Sequence, residues 1–265
     1  MTLPAPSNGS AALVTGASSG IGEALARGLA QRGHRVVVVA RRRERLEKLA
    51  AELREKSGVR ADVLVCDLAD AADRDRMLRE LEALDVDVEV LALCAGFGMV
   101  GPYLDNDPDR ILQMVRTNVE STMTLARALT PAMVARRRGA VLFVSSMAGD
   151  QPMPSFAPYA ATKAAVSSLG EALHCELKPH GVTVSVLAPA AVATEFSAVA
   201  EAARQEKRQP RFMLASAEQC ATAGLTALEK GQRKVCPLPQ ARVFTWICRH
   251  LPTSVWLPIS RRMLG

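Results

Sequence analysis

Apolar runs of strand length alternate with charged, helix-periodic stretches along almost the whole chain. Ala11–Thr15, Val36–Ala40, Val63–Cys66, Val88–Cys94, Val141–Ser145 and Val182–Leu187 are the strand candidates, rich in Val, Leu and Ala. Helical patterns run from about Gly20 to Arg32, from after the second strand to about Lys56, and from beyond Asp67 to near Leu84. Others cover Asp107 to Arg137, Pro158 to Lys178 and Ala215 to Lys230, with a kink expected at Pro131. Unbroken apolar runs suit strands covered on both faces. Strict alternation of strand and helix implies right-handed crossovers, so the chain reads as α/β: a Rossmann-type doubly wound parallel sheet in a single domain. No internal repeat or interdomain linker interrupts it. The folded unit is expected over residues 1–240, with a substrate loop at 190–214 and a basic, aromatic C-terminal extension at 241–265.

Composition refines this picture in two places. Hydrophobic residues make up 49% of the chain but aromatics only 4%, so small aliphatic side chains must fill the interior. The net charge of +6 would suggest nucleic acid, but Arg233, Lys234, Arg242, Arg249, Arg261 and Arg262 account for all of it, and no acid lies beyond residue 230. A neutral body with a basic tail predicts no nucleic-acid partner. The cysteines show no CxxC pair or His-rich spacing, so no metal site is expected. The first ten residues lack basic and apolar signal regions, and no apolar run reaches about 18 residues. A reducing, cytoplasmic setting is therefore expected, with peripheral membrane contact open through the tail.

The chemistry concentrates in three side chains. Tyr159 and Lys163 stand four residues apart, which on a helix puts phenol and ammonium on one face. A nearby positive charge favours the phenolate and makes a hydroxyl of pKa about 10 usable as an acid or base. Ser146, from the preceding strand end, could hold a carbonyl oxygen beside it. The trio reads as carbonyl chemistry.

A dinucleotide site is expected at Gly16, Ser18, Ser19, Gly20, Ile21 and Gly22. This turn directly follows a strand and opens a helix, so glycines allow close approach to a pyrophosphate and the helix start offers free N–H groups. A carboxylate ending the second strand would select NAD; Ala40 stands there, followed by Arg41 and Arg42, whose guanidinium forks suit a 2′-phosphate. NADP, with NADPH preferred over NADH, is the expected cofactor. Asp67 either accepts from the adenine amino group or caps a helix. Ala95 and Gly96 would leave room for the adenosine ribose.

These motifs together resemble the short-chain dehydrogenase/reductase family over about residues 11–230: TGASSGIG at 15–22, AG at 95–96, Asn118, Ser146, and Tyr159-x-x-x-Lys163. The resemblance implies an enzyme that transfers hydride between a nicotinamide and a ketone or secondary alcohol. Tyr159 would be the acid or base and Lys163 would hold the nicotinamide ribose. Ser146, rather than Ser145, would bind the substrate oxygen. Asn118 would anchor a proton-relaying water, and Val192 and Thr194 would hold the carboxamide. The family also implies a homodimer or homotetramer, paired through the two long helices at 107–137 and 158–178. Two departures stand out. Cys94 replaces an asparagine that ties central strands together, and Ala190 replaces a glycine, which would be strained if its φ were positive.

Phe97, Met99, Val100, Tyr103, Met147, Met153, Phe156 and 190–196 would line the substrate site, and suit an apolar or lipid-like carbonyl. The polar stretch Ala198–Arg211 is either a mobile lid or a solvated surface helix. The tail carries Trp246 and Trp256 among arginines, and either lies on an anionic membrane or packs on the body or a partner subunit. The alternative to an enzyme is a nucleotide-sensing or membrane-associated scaffold that keeps the fold and does little chemistry.

Overall fold

The computed structural model describes residues 3–192, 195 and 214–264. Seven parallel strands form one sheet, in the order β3-β2-β1-β4-β5-β6-β9. They are β1 (Ser10–Thr15), β2 (Val36–Ala40), β3 (Ala61–Val65), β4 (Asp87–Leu93), β5 (Gly139–Val144), β6 (Val182–Leu187) and β9 (Lys234–Val235). Side chains alternate across the pleat, so each strand feeds two cores. Ala12, Val14, Val36 and Val38 meet Leu25 and Leu29 of α1 (Gly20–Gln31), Leu46 of α2 (Arg43–Ser57) and Leu225 of α7 (Ala217–Glu229). Ala11, Leu13, Val37 and Val39 pack instead with Met77 of α3 (Ala71–Glu82), Leu125 of α5 (Ser121–Ala135) and Val166 of α6 (Ala157–Leu177). This is the doubly wound arrangement expected from the alternating pattern.

Strand order reverses between β1 and β4, which opens a crevice at their carboxyl ends. There the family asparagine is replaced by Cys94, yet the two strands remain tied. Thr15 Oγ1 donates to Ala92 O (3.3 Å) and accepts from the N–H groups of Cys94 (3.0 Å) and Ala95 (3.1 Å).

Two expectations are corrected and one is refined. The seventh strand, β9, is two residues long, too short to register as an apolar run. It is held by backbone bonds from Val186 to Arg233 O and from Ala188 to Val235 O. The helix expected from Asp107 to Arg137 is present and continuous, but α4 (Pro108–Val115) passes through a π-helical turn, Arg116–Glu120, into α5. That irregular turn carries Asn118, while Pro131 sits inside α5. Ala190 is buried without positive φ; among the described residues only Asp85, Arg137 and Ser155 are non-glycines in that region, so the strain is absent.

Two further helices follow β9: α8 (Pro239–His250) and α9 (Thr253–Leu264). A short parallel pair, β7 (Ala191–Val192) and β8 (Leu214–Ala215), flanks the residues between them. Among the described residues no helix is long and apolar enough to cross a membrane.

The segment after β5 is pressed against α6 at Gly149. A Cβ there would stand 2.5 Å from the backbone carbon of Lys163. Gly149→Ala is therefore expected to lower stability by about 1–3 kcal/mol through forced backbone displacement, seen as a lower Tm. An unchanged Tm would mean that this contact is not tight.

Candidate active site

The turn after β1 is built for close approach. Gly16 has φ +68°, and a Cβ there would reach 2.9 Å from Ala95 Cα. Helix α1 begins at Gly20 behind Ser19, whose side chain makes no capping bond. The first N–H groups of α1 thus face the crevice with their positive dipole end, a suitable seat for a pyrophosphate.

Arg42 reaches across this turn. Its guanidinium donates to Ser18 Oγ (3.1 and 2.9 Å) and Ser19 Oγ (2.7 Å). It also pairs with the Glu195 carboxylate at 2.8 Å, as does Arg45 at 2.7 Å. The two cations together hold the Glu195 carboxyl below the usual carboxylate range. The sequence placed Glu195 within the 190–196 lining but did not show its pairing with Arg42 and Arg45, since it lies 150 residues beyond Arg45 and no local pattern joins them.

Arg41 extends toward Asp67 (3.9 Å). Asp67 is not a helix cap: its Oδ1 accepts from Ala69 N at 3.1 Å, while Asp70 caps α3. A groove of about 1020 Å³ opens here, lined by Arg41, Asp67, Phe97, Arg116 and Glu120 among others. It meets the apolar cluster around Tyr159 only at Phe97, and none of Ser146, Tyr159 and Lys163 lines it.

Tyr159, Lys163, Asn118 and Ser146 come together at the carboxyl end of β5, all buried or nearly so. Ser146 Oγ accepts from Ala148 N (3.1 Å) and is hydrogen-bonded to the Tyr159 hydroxyl. Ser145 faces the interior, bonded to Lys163 O (2.8 Å) and Ser167 Oγ (2.7 Å). Of the two serines, Ser146 is the one on the Tyr159 side. Lys163 Nζ donates to Val144 O at 3.0 Å and lies 5.9 Å from the Tyr159 ring centroid.

Asn118 has both amide atoms engaged. Oδ1 accepts from Phe97 N (3.0 Å), and Nδ2 donates to Phe97 O (2.9 Å) and Thr162 Oγ1 (3.0 Å). It locks the segment after β4 onto α6. Gly96 sits between these groups: a Cβ there would stand 2.9 Å from Asn118 Oδ1 and 3.2 Å from Lys163 Nζ. Thr162, which also donates to Tyr159 O (2.7 Å), was overlooked although it adjoins Lys163.

The electrostatics differ from expectation. Burial pushes the Tyr159 phenol up to about 12, against the lowering effect of the Ser146 hydrogen bond. Burial also brings Lys163 down to about 8. Desolvation outweighs charge pairing because both groups are enclosed and the ammonium is directed at Val144 O. At neutral pH the phenol keeps its proton and the lysine its charge. The Cys94 thiol is likewise pushed up to about 12 by burial and stays neutral.

Around Tyr159 lies an apolar cluster of Met99, Met114 and Ala148, with Phe97, Ile111, Met153 and Phe156 against it. Tyr103 is exposed instead. Val192 is half-buried in β7. Thr194, Phe196 and the Ala198–Arg211 stretch lie outside the described residues.

Residues 10–205 match the family model described as short chain dehydrogenase. The chain is 33% identical over 252 residues to a very-long-chain 3-oxoacyl-CoA reductase of Anas platyrhynchos, covering 94% of this chain and 78% of that protein. A short-chain dehydrogenase from Sphingobium yanoikuyae, solved in complex with NADPH, superposes with a TM-score of 0.81 at 32% identity, over 90% of this chain and 92% of that one. A 7beta-hydroxysteroid dehydrogenase aligns over 98% of this chain and 99% of its own with a TM-score of 0.85 at 25% identity. The chain belongs to the short-chain dehydrogenase/reductase family and is an oxidoreductase of that class.

Proposed function

We propose that the protein is an NADPH-dependent reductase of ketones carried on apolar, lipid-like molecules. The observation that carries this reading is the hydrogen-bonded Ser146–Tyr159 pair, set in a methionine- and phenylalanine-rich cluster beside Lys163. The relative named for very-long-chain 3-oxoacyl-CoA and the one named for a hydroxysteroid support a large apolar substrate.

The dinucleotide would lie on the turn formed by Gly16, Ser18, Ser19, Gly20, Ile21 and Gly22, with Asp67 toward the adenine, Ala95 and Gly96 beside the ribose, and Val192 toward the nicotinamide. When bound it supplies the hydride. In the residues' own chemistry, Ser146 and Tyr159 converge their hydroxyls on one carbonyl oxygen. Tyr159 donates its proton to that oxygen as the alcohol forms. Lys163 stabilises the negative charge left on the phenol and binds the ribose hydroxyls. Asn118 acts through position, holding Phe97 and Thr162 so that Gly96 leaves Lys163 room.

Selection of NADPH over NADH rests with Arg42 and its neighbours. Arg42 and Arg45 already grip a carboxylate, so an anion of phosphate type suits the same guanidinium pair. Arg42→Ala is expected to raise KM for NADPH by about 10- to 100-fold, the loss of one charge-assisted contact, and to leave NADH little changed. Equal losses with both cofactors would assign Arg42 to the turn rather than to the 2′-phosphate.

Assembly follows the family implication of pairing through the composite α4–α5 helix and α6. Leu112, Val115 and Met123 are exposed along that composite helix and support it. The overall reading is tested with a panel of steroid, acyl-thioester and aromatic ketones, followed at 340 nm with each cofactor. Absence of turnover, together with no NADPH binding by fluorescence titration, would reject it in favour of a scaffold.

A further inference from the structure

Helices α8 and α9 each divide into two faces. On the inward side Ala241, Trp256 and Ser260 are buried. Trp256 is 5% exposed, its Nε1 donates to Pro152 O at 2.8 Å, and Phe244 meets its ring edge-on at 6.4 Å. This anchors the helices to the segment that also carries Ser146.

Among the described residues, the outward side carries exposed apolar side chains. Val243, Trp246 and Ile247 stand at i, i+3 and i+4 on α8, and Trp246 is 62% exposed. On α9 Val255 and Ile259, at i and i+4, are exposed on one face, and Leu257 is exposed on another side of the same helix. Arg242, Arg261 and Arg262 are exposed on the same two helices. No acid occurs anywhere in residues 231–265. A grouped apolar surface of this kind marks an interaction site.

We propose that the outer face of α8 and α9 docks on an anionic lipid bilayer. Exposed tryptophan and aliphatic side chains insert at the headgroup level, while the arginines pair with lipid phosphates. Charge selects this occupant over a second copy of the chain. A two-fold interface between these helices would bring the arginines of one acid-free segment against those of the other. Docking would also set the Ser146-bearing segment close to the bilayer, where a ketone on a long apolar chain would be dissolved. That corollary rests on the substrate reading above. Vesicle binding is measured without turnover, so the two can fail separately.

The test is co-sedimentation of the full chain with vesicles of phosphatidylcholine alone or mixed equally with phosphatidylglycerol. Binding is expected to the anionic vesicles and to weaken with salt. The double variant R261E/R262E should lower it by about tenfold or more, as expected for two surface charges. Trp246→Ser should also weaken it, and the tryptophan emission should shift to the blue on binding in wild type but not in Trp246→Phe, since Trp256 is already buried. All these side chains are exposed, so an unchanged melt checks folding. Failure to bind anionic vesicles, or equal binding by wild type and both variants, overturns the proposal. So does a concentration-dependent dimer abolished by Trp246→Ser in a protein that ignores vesicles.

Discussion

Tyr159→Phe is expected to lower kcat for carbonyl reduction about a thousandfold while leaving NADPH affinity within a few-fold of wild type. The substitution keeps the ring, which packs 6.5 Å from Phe156 and within the Met99–Met114 cluster, and removes only the hydroxyl. Stability should change by about 1 kcal/mol or less, the value of one hydrogen bond to Ser146. Turnover falls far more because no other side chain in the cluster carries a proton to the carbonyl oxygen at neutral pH. Ser146 alone can hold the oxygen but cannot protonate it. The same electrostatics set a pH dependence. The phenol stays protonated up to about 12, whereas Lys163 loses its charge as pH rises through about 8. Reduction should therefore be flat below about pH 8 and decline above it, as the cation that stabilises the forming phenolate disappears. A Phe variant with undiminished turnover would remove Tyr159 from the chemistry. A wild-type rate that climbs between pH 8 and 10 would remove the role given to Lys163.

Much of this site was legible because its residues are packed into short, local patterns. The glycine turn is one strand end and one helix start, and Tyr159 with Lys163 is one helical step. Ser146 could be told from Ser145 by spacing alone, and the structure turns Ser145 inward toward Ser167. What escaped notice depends on distant partners or on very short elements. Thr15 ties β1 to β4 beside Cys94, a link visible only once both strand ends are adjacent. Glu195 meets Arg42 and Arg45 from 153 and 150 residues away in the chain. Strand β9 has too few residues for periodicity, and Lys234 in it joins Asp150, at the end of the Ser146-bearing turn, in an ion pair that also includes Glu171 (3.2 Å). The direction of the pKa shifts was also beyond the sequence. Adjacency of phenol and ammonium was readable, but the degree of enclosure that reverses its effect was not.

Burial of Lys163 has a cost that activity must outweigh, and Lys163→Met should separate the two. The ammonium is 5% exposed and donates to Val144 O, and its pKa falls from 10.5 to about 8. The shift corresponds to roughly 3 kcal/mol against the charged form. Below about pH 8 both folded and unfolded chains hold the proton, so the whole penalty acts on stability. Between about 8 and 10.5 the unfolded chain binds more protons than the folded one, so this group's contribution makes stability rise with pH over that window. Methionine has a similar length and no charge to desolvate. Lys163→Met should therefore raise Tm at pH 7, by about 2–4 °C for each kcal/mol recovered in a chain of this size, and flatten the rise between pH 8 and 10. The same variant should reduce kcat about a hundredfold or more, because the phenolate forms without a neighbouring cation. Thermal melts across pH, paired with turnover, read both effects. A variant that is both less stable and less active would make Lys163 a packing residue, whereas greater stability with lost turnover is what a charge retained for chemistry requires.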